Sequence, residues 1–222
     1  MTTLASREPL TVVESALVPL PISDVDTDQI VPGRFITSRT REEFARALFA
    51  GRRAADPGFV LNRAGMAGRS ILVAGRNFGC GSSREQAVWA LQAGGFRVII
   101  APSFSDIFAM NARQNGLLTV VLDADRCHAL VSAAGDDAIR VDLVSQTVSL
   151  DTGMAVERFD TDDFYRQLLL EGRSELDYLL AADDEVTQYE GAHSQAALLG
   201  SAELNTVEPH RAAPDPSHPG TA

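Results

Sequence analysis

Cysteine is scarce in this 222-residue chain, with two residues, Cys80 and Cys127, supplying all of its thiols. Two thiols exclude a disulfide framework and suit a reducing compartment. They also cannot hold a four-iron cluster alone, which needs cysteine at three or four positions. Long apolar runs are absent too, so no stretch of about 20 hydrophobic residues is available to span a bilayer. The opening M-T-T-L-A-S-R-E-P-L lacks a basic start followed by an apolar stretch; no secretory signal is expected, and a cytoplasmic protein is. Cations are the scarcer charge: 19 Lys and Arg against 30 Asp and Glu leave a net charge of −11 and a pI near 4.7. Such a field repels phosphate backbones and counts against nucleic-acid binding, whereas a local basic site can still take a small dianion. None of His128, His193, His210 and His218 stands at metal-ligand spacing from a cysteine or an acid.

What remains is ordinary globular material, 45% hydrophobic and 22% charged. The β-branched run Thr11–Leu20 predicts a strand, and helical spacing predicts a helix over Arg41–Phe49. Residues 51–68, carrying Gly, Pro and Asn, read as a loop. Three short apolar runs, Ser70–Ala74, Phe96–Ala101 and Leu117–Leu122, read as buried strands. Between them fall helices over Arg84–Ala93, stopped by Gly94 and Gly95, and from a Ser103 or Ser105 cap to Gln114. Strand–helix–strand–helix–strand at this spacing predicts right-handed crossovers and parallel pairing. A helix over Asp125–Ala134, a hairpin of Ile139–Leu143 with Thr147–Leu150, and a helix over Thr161–Leu170 capped by Thr161 or Asp160 follow. From Tyr189 onward Ala, Ser, Pro, His and Gly dominate, which predicts a domain over residues 1–190 and a disordered tail over 191–222.

Three polar stretches could carry chemistry. The first is G-R-N-F-G-C-G-S-S-R-E-Q, Gly75 to Gln86, between a strand and a helix. Its glycines let backbone approach a ligand closely, and Ser82, Ser83 and Arg84 fall at a helix start, where N–H groups and the dipole favour an anion. Arg84 adds a fork suited to a carboxylate. The competing reading is a helix capped by serine. A P-loop needs lysine, a dinucleotide fingerprint needs glycine where Arg84 stands, and a nucleophile elbow needs G-x-S-x-G; none is present. With no histidine near it in sequence, Cys80 reads as a packed thiol rather than a nucleophile. The second stretch, D-V-D-T-D-Q, opens like a calcium loop, but Gln29 and Phe35 stand where that loop needs Gly and Glu. A turn bonding its own backbone is the remaining reading. In the third, S-F-S-D-I-F-A-M-N-A-R-Q-N-G-L-L from Ser103, Phe104, Ile107 and Phe108 read as core, and Asn111 and Asn115 as one solvated helix face.

Together and in this order, D-V-D-T-D-Q-I-V-P-G-R-F, N-F-G-C-G-S-S-R-E-Q-A-V-W-A-L and A-P-S-F-S-D-I-F-A-M-N-A-R-Q-N-G-L-L resemble the signature segments of the small subunits of 3-isopropylmalate dehydratase. The resemblance runs from Leu10 to Tyr189, including L-L-x-G-x-x-x-L-D-Y-L-L from Leu169. It implies an α/β fold, the swivelling β/β/α domain of aconitase, with a partly parallel sheet flanked by helices. It further implies a hydro-lyase of leucine biosynthesis that interconverts 2- and 3-isopropylmalate through isopropylmaleate. On this resemblance Ser82 is the base, and Ser83 and Arg84 contact a carboxylate of the small dicarboxylate substrate. Phe35, Ile36 and Thr37 form the loop that sets the accepted side group, and Arg34 is a candidate for a further carboxylate contact. A partner large subunit carries a [4Fe–4S] cluster; this chain binds no cofactor or metal itself. Gln86 stands where the family usually has His, and Val88 and Thr119 where it has Pro. Those departures leave open a sister hydratase acting on another malate, of citraconate or dimethylmaleate type, or an inactive partner subunit.

Overall fold

A computed structural model describes residues 7–150, 156–191 and 193. Its contacts divide the chain into two units, Met1–Tyr178 and Leu179–Ala222. Of the expected tail over 191–222, all but residues 191 and 193 lies outside the described residues; in the second unit, residues 183–191 are helical.

The first unit is built on one seven-stranded sheet. Its strands are β1 (Val12–Leu20), β2 (Ile71–Ala74), β3 (Val98–Ala101), β4 (Leu118–Val121), β5 (Ala138–Asp142), β6 (Thr147–Leu150) and β7 (Glu157–Arg158), in spatial order β4-β3-β2-β1-β5-β6-β7. β1 pairs in parallel with β2 (Leu17 opposite Ile71), β2 with β3, and β3 with β4. On its other edge β1 pairs antiparallel with β5 (Val12 opposite Asp142), which continues into the expected hairpin with β6. The fold is the α/β class the resemblance implies, partly parallel and flanked by helices.

Alternation along the strands explains how the sheet is buried on both faces. Leu72 and Ala74 of β2 and Ile99 and Ala101 of β3 join one hydrophobic cluster; Ile71, Val73, Val98 and Ile100 join a second. Successive side chains of a strand point to opposite faces, so the two clusters lie on opposite sides of the sheet. The first cluster takes Ile30 of α1 (Thr27–Ile30), Phe44 of α2 (Arg41–Ala47), Leu91 of α4 (Glu85–Ala93) and Phe108 of α5 (Asp106–Asn115). The second takes Leu130 of α6 (Ala124–Ala134) and Leu169 of α7 (Asp163–Glu171). A last helix of this set, α8, spans Glu175–Ala181. No described helix is long and apolar enough to cross a membrane.

Several expectations need correction. The loop over 51–68 contains α3 (Ala50–Ala55) and a 3-10 turn at Val60–Asn62. Phe49 breaks the run by adopting φ 51°, which ends α2 early and starts α3, and its ring packs 5.7 Å from that of Phe59. Asn62 then ties the segment shut, donating through Nδ2 to the carbonyls of Arg53 (2.8 Å) and Asp56 (3.0 Å). The cap of α7 is neither Thr161 nor Asp160 but Asp162, which accepts from Phe164 N and Tyr165 N. Ser105, not Ser103, caps α5. Ile107 is 44% exposed, because the apolar face of α5 is carried by Phe108 and Ala112. Asn111 is buried rather than solvated, and Asn115 is a tie between helices, described below.

The tightest packing lies where the loop after β2 crosses α5. Gly79 has φ +77°, and a Cβ there would stand 2.2 Å from Cγ of Phe108, a ring that packs edge-on against Phe78. Gly79→Ala is therefore expected to combine a left-handed backbone penalty with overpacking and lose about 2–5 kcal/mol of stability. Urea denaturation of the variant checks it, and a loss below about 1 kcal/mol would show that the helix can yield.

Candidate functional site

Because β1, β2 and β3 run parallel, the segments that leave them emerge at one end of the sheet, where open α/β sheets bind their ligands. Those segments are the three polar stretches of the sequence. The first two lie alongside each other as a backbone zipper. Gly75 N donates to Ile22 O (3.1 Å), Asp24 N to Arg76 O (2.9 Å), Gly79 N to Val25 O (2.8 Å) and Thr27 N to Cys80 O (2.9 Å). The approach demands glycine at 75, since a Cβ there would lie 2.5 Å from the carbonyl carbon and oxygen of Ile22. The third stretch closes on the first: Phe78 N donates to Ser103 O (3.0 Å), Ser105 N to Phe78 O (3.1 Å) and Ser105 Oγ to Gly79 O (2.7 Å).

Each acid of D-V-D-T-D-Q has its own task within this frame. Asp24 accepts from Asn77 Nδ2 at 2.8 Å, stapling the two loops. Asp26 caps α1, accepting from Gln29 N at 2.7 Å. Asp28 forms an ion pair with Nη1 of Arg84, which also donates to Val31 O at 3.4 Å. Three carboxylates with three separate partners are not a cation cage, in accord with the rejection of a calcium loop.

Ser82 and Ser83 are exposed just ahead of α4. Neither caps that helix: Arg84 is the N-cap residue, and no side-chain oxygen accepts from the first turn. The capping alternative thus fails; Ala87 N donates to Arg84 O at 3.1 Å, which leaves Glu85 N and Gln86 N with no partner among the described residues at the positive end of the helix, directly after the serines in sequence. Ser82 is instead held from the other loop. Thr27 Oγ1 donates to Ser82 O at 3.0 Å and lies 3.4 Å from Ser82 Oγ. Arg84 uses only Nη1 among the described acceptors, which leaves Nε and Nη2 available to an incoming carboxylate. The helix behind these groups is bolted in place. Asn115 accepts from Trp89 Nε1 (2.9 Å) and donates to Glu85 Oε1 (2.7 Å), and Gln92 Nε2 donates to Asn115 O (2.7 Å).

Arg34, Phe35, Ile36 and Thr37 follow in and after a 3-10 turn, Gly33–Phe35, beginning two residues beyond Val31. A Cβ on Gly33 would stand 3.9 Å from Asp28 Oδ1, so the turn starts beside the Asp28–Arg84 pair. Phe35 is half-buried against the core, with the Arg34 guanidinium 4.7 Å above its ring; Thr37 is exposed. No hydrogen bond or ion pair among the described residues joins 34–37 to Ser82, Ser83 or Arg84. Sequence reasoning passed over Thr27 and Asp28 as site residues; the signal available for them was that their motif recurs with the serine motif.

The thiols stand apart from each other. Cys80 sits half-buried in the zipper, its pKa raised by burial and then by the charges of Asp26 and Asp24. Cys127 is buried in the α6 layer, and burial, then Asp123, pushes its thiol up to about 11. Two separated thiols, both biased toward the protonated form, do not form a ligand set for an iron–sulfur cluster. The described residues hold no group of three or more His, Cys, Asp or Glu placed to bind a metal ion.

Comparison with known proteins gives a consistent outcome. Residues 7–125 match the family model of the aconitase C-terminal domain. The 3-isopropylmalate dehydratase small subunit of Roseiflexus castenholzii is 45% identical over 193 residues, covering 83% of this chain and 94% of the relative. That of Anaeromyxobacter sp. strain K is 49% identical over 189 residues, covering 83% and 98%. Among solved structures, 3-isopropylmalate dehydratase (leuD) from Methanocaldococcus jannaschii matches with a TM-score of 0.63 at 28% identity, covering 80% of this chain and 99% of that one.

The thiol environments set a labelling pattern. Since only the thiolate alkylates, raised pKa values make both cysteines slow near pH 8. In the native protein iodoacetamide is expected to leave Cys127 unmodified and to modify Cys80 more slowly than a free thiol, whereas both react once the chain is unfolded. Mass spectrometry after timed quenching reads this directly, and rapid native labelling of Cys80 would show that the thiol is activated rather than packed.

Proposed function

The chain belongs to the family of 3-isopropylmalate dehydratase small subunits, and from that premise we propose that Ser82, Ser83 and Arg84 are its contribution to an active site completed by a large subunit. Its role is the small-subunit role in leucine biosynthesis, within a hydro-lyase. The observation that carries the assignment of residues is the convergence of Ser82, Ser83 and Arg84 beside an uncapped helix start, on loops zipped together at the ends of parallel strands.

Ser82 Oγ takes the proton from the carbon next to a carboxylate. The electrons left behind form the C=C bond of isopropylmaleate, and the hydroxyl on the neighbouring carbon leaves with the C–O electron pair as hydroxide, the proton that turns it into water coming from an acid outside this chain's site residues. Rehydration in the opposite sense returns the proton from Ser82 and completes the isomerisation. A serine anion is costly in water, and this site offers three compensations: the first-turn N–H groups of α4, the positive end of its dipole, and the Arg84 guanidinium nearby. Ser83 and the free edge of Arg84 hold the substrate carboxylate in two-pronged fashion. Asp28, on the other edge, fixes the guanidinium so that it does not have to be ordered by the substrate. A [4Fe–4S] cluster on the large subunit supplies, when bound, a Lewis acid for the leaving oxygen. The half-buried Phe35 and Ile36 offer apolar surface to an isopropyl group, Thr37 borders it, and Arg34 adds a second carboxylate contact. We further propose that the complex is cytoplasmic, that the swivelling domain comprises residues 1–190, and that residues 191–222 are an accessory tail.

Anaerobic co-purification with the large subunit tests the assignment. Turnover of 2-isopropylmalate, followed through the absorbance of the unsaturated intermediate, is expected to fall roughly 10²–10⁴-fold in Ser82→Ala. Arg84→Ala is expected to lose activity mainly through a higher KM. Full activity in Ser82→Ala would remove Ser82 as the base, and turnover confined to hydrated citraconate or dimethylmaleate would reassign the substrate.

A further inference from the structure

Thr27 has no role in the reaction as described so far, and its surroundings are unusual. It is one of two buried polar side chains among the described residues, 2% exposed. Its backbone N–H is spent on Cys80 O and its carbonyl accepts from Val31 N at 2.9 Å, so the residue is locked at both ends of its peptide. Its hydroxyl meets Ser82 and no other described residue, at 3.0 Å from the carbonyl oxygen and 3.4 Å from Oγ. Gly81, between Cys80 and Ser82, holds the turn with φ +90°, a backbone conformation suited to glycine; a Cβ there would only touch Cβ of Asp26 (3.4 Å) and Thr27 Oγ1 (3.7 Å) at ordinary contact distance.

A threonine hydroxyl owns one hydrogen. A carbonyl can only accept, so at rest that hydrogen points to Ser82 O and the lone pairs of Thr27 Oγ1 face Ser82 Oγ. A separation of 3.4 Å is longer than a full O–H···O bond, so the serine proton is oriented there but only weakly held. The arrangement has a second state. When the exposed Ser82 has given its proton to solvent, its anionic Oγ becomes the stronger acceptor, and rotation about the Cβ–Oγ1 bond of Thr27 carries the hydrogen from the carbonyl to the alkoxide. Only a few tenths of an ångström of approach are needed. When Ser82 then takes a proton from the substrate carbon, the Thr27 hydrogen returns to the carbonyl; it never leaves Thr27.

We propose that Thr27 is the positioning residue of the base, a hydroxyl rotor that orients Ser82 at rest and donates to its anion during proton transfer. The inference rests on Ser82 being the base, and it explains why the D-V-D-T-D-Q segment accompanies the serine loop.

The test uses the complete complex with its large subunit, prepared anaerobically, and compares Thr27→Val, Thr27→Ser and Ser82→Ala. Val keeps the shape and removes the hydroxyl, while Ser keeps the hydroxyl. Thr27→Val is expected to lower kcat roughly 10- to 1,000-fold with KM within about threefold, the range seen when one donor to a developing anion is removed. Thr27→Ser is expected to recover most of kcat. With the stabiliser gone, the acidic limb of the kcat–pH profile moves upward, by about one pH unit for each tenfold loss of anion stabilisation. A wild-type rate and pH profile in Thr27→Val overturns the proposal, as does equal impairment in Val and Ser variants. Should Thr27→Val fail to assemble, Thr27→Ala replaces it as the hydroxyl-free member and is read against Thr27→Ser in the same way. The two readings separate cleanly: an inactive Ser82→Ala beside a fully active Thr27→Val removes the rotor and keeps the base, whereas an active Ser82→Ala removes both.

Discussion

The backbone zipper between Ile22–Thr27 and Gly75–Cys80 is the constraint on which the rest of this structure depends. Four hydrogen bonds run between two segments outside the named strands, the last of them from the first residue of α1, joining the ends of β1 and β2 beyond the last residues of the sheet. Their individual contributions are modest, of order 1 kcal/mol each. Their effect is to continue the parallel register past the sheet, so that Thr27 reaches Ser82 and Asp28 reaches Arg84. Without Gly75 the segments could not come within hydrogen-bonding distance, and without Gly79 the second could not pass over Phe108.

This arrangement divides labour between the two loops. The serine loop presents Ser82 and Ser83 at the surface, while Arg84, partly buried, keeps Nε and Nη2 without an acceptor among the described residues. The acid loop works from behind, where Asp26 builds α1, Asp28 occupies the far edge of Arg84, and Thr27 meets Ser82. In a chain with a net charge of −11, the Asp28–Arg84 pair fixes the guanidinium in one orientation ahead of any incoming anion. Only one of the guanidinium nitrogens is consumed in doing so. Behind both loops, the Trp89–Asn115–Glu85 tie holds α4 against α5, keeping the helix start at a fixed angle to the serines.

Much of the fold was legible because periodicity and burial agree along these strands. The all-apolar runs of β2 and β3 are buried on both faces, the signature of a parallel sheet between helices, and the hairpin of β5 and β6 follows its alternation. Errors arose where a single side chain overrode a composition signal. Gly, Pro and Asn between residues 51 and 68 suggested a loop, yet Phe49 in a left-handed conformation and the amide of Asn62 fold that stretch into a short helix and a turn. Asn111 and Asn115 share a helix face as their spacing required, but whether that face meets water depends on the neighbouring helix, which spacing does not report.

The sequence by itself determined the fold class, the family, and the identity of the serine–serine–arginine motif, because those depend on residue order and local periodicity. It also excluded a disulfide framework and a cluster held by this chain's cysteines alone, since two thiols suffice for neither. Only the tertiary structure decided what the acids of D-V-D-T-D-Q do, that the serines leave α4 uncapped, and that Thr27 stands against Ser82. Apart from the local cap made by Asp26, the contacts that decide them, Asp24 with Asn77, Asp28 with Arg84 and Thr27 with Ser82, join residues more than 50 positions apart. Such a contact is settled by which partner the folded backbone brings within reach, and no spacing along the chain encodes it.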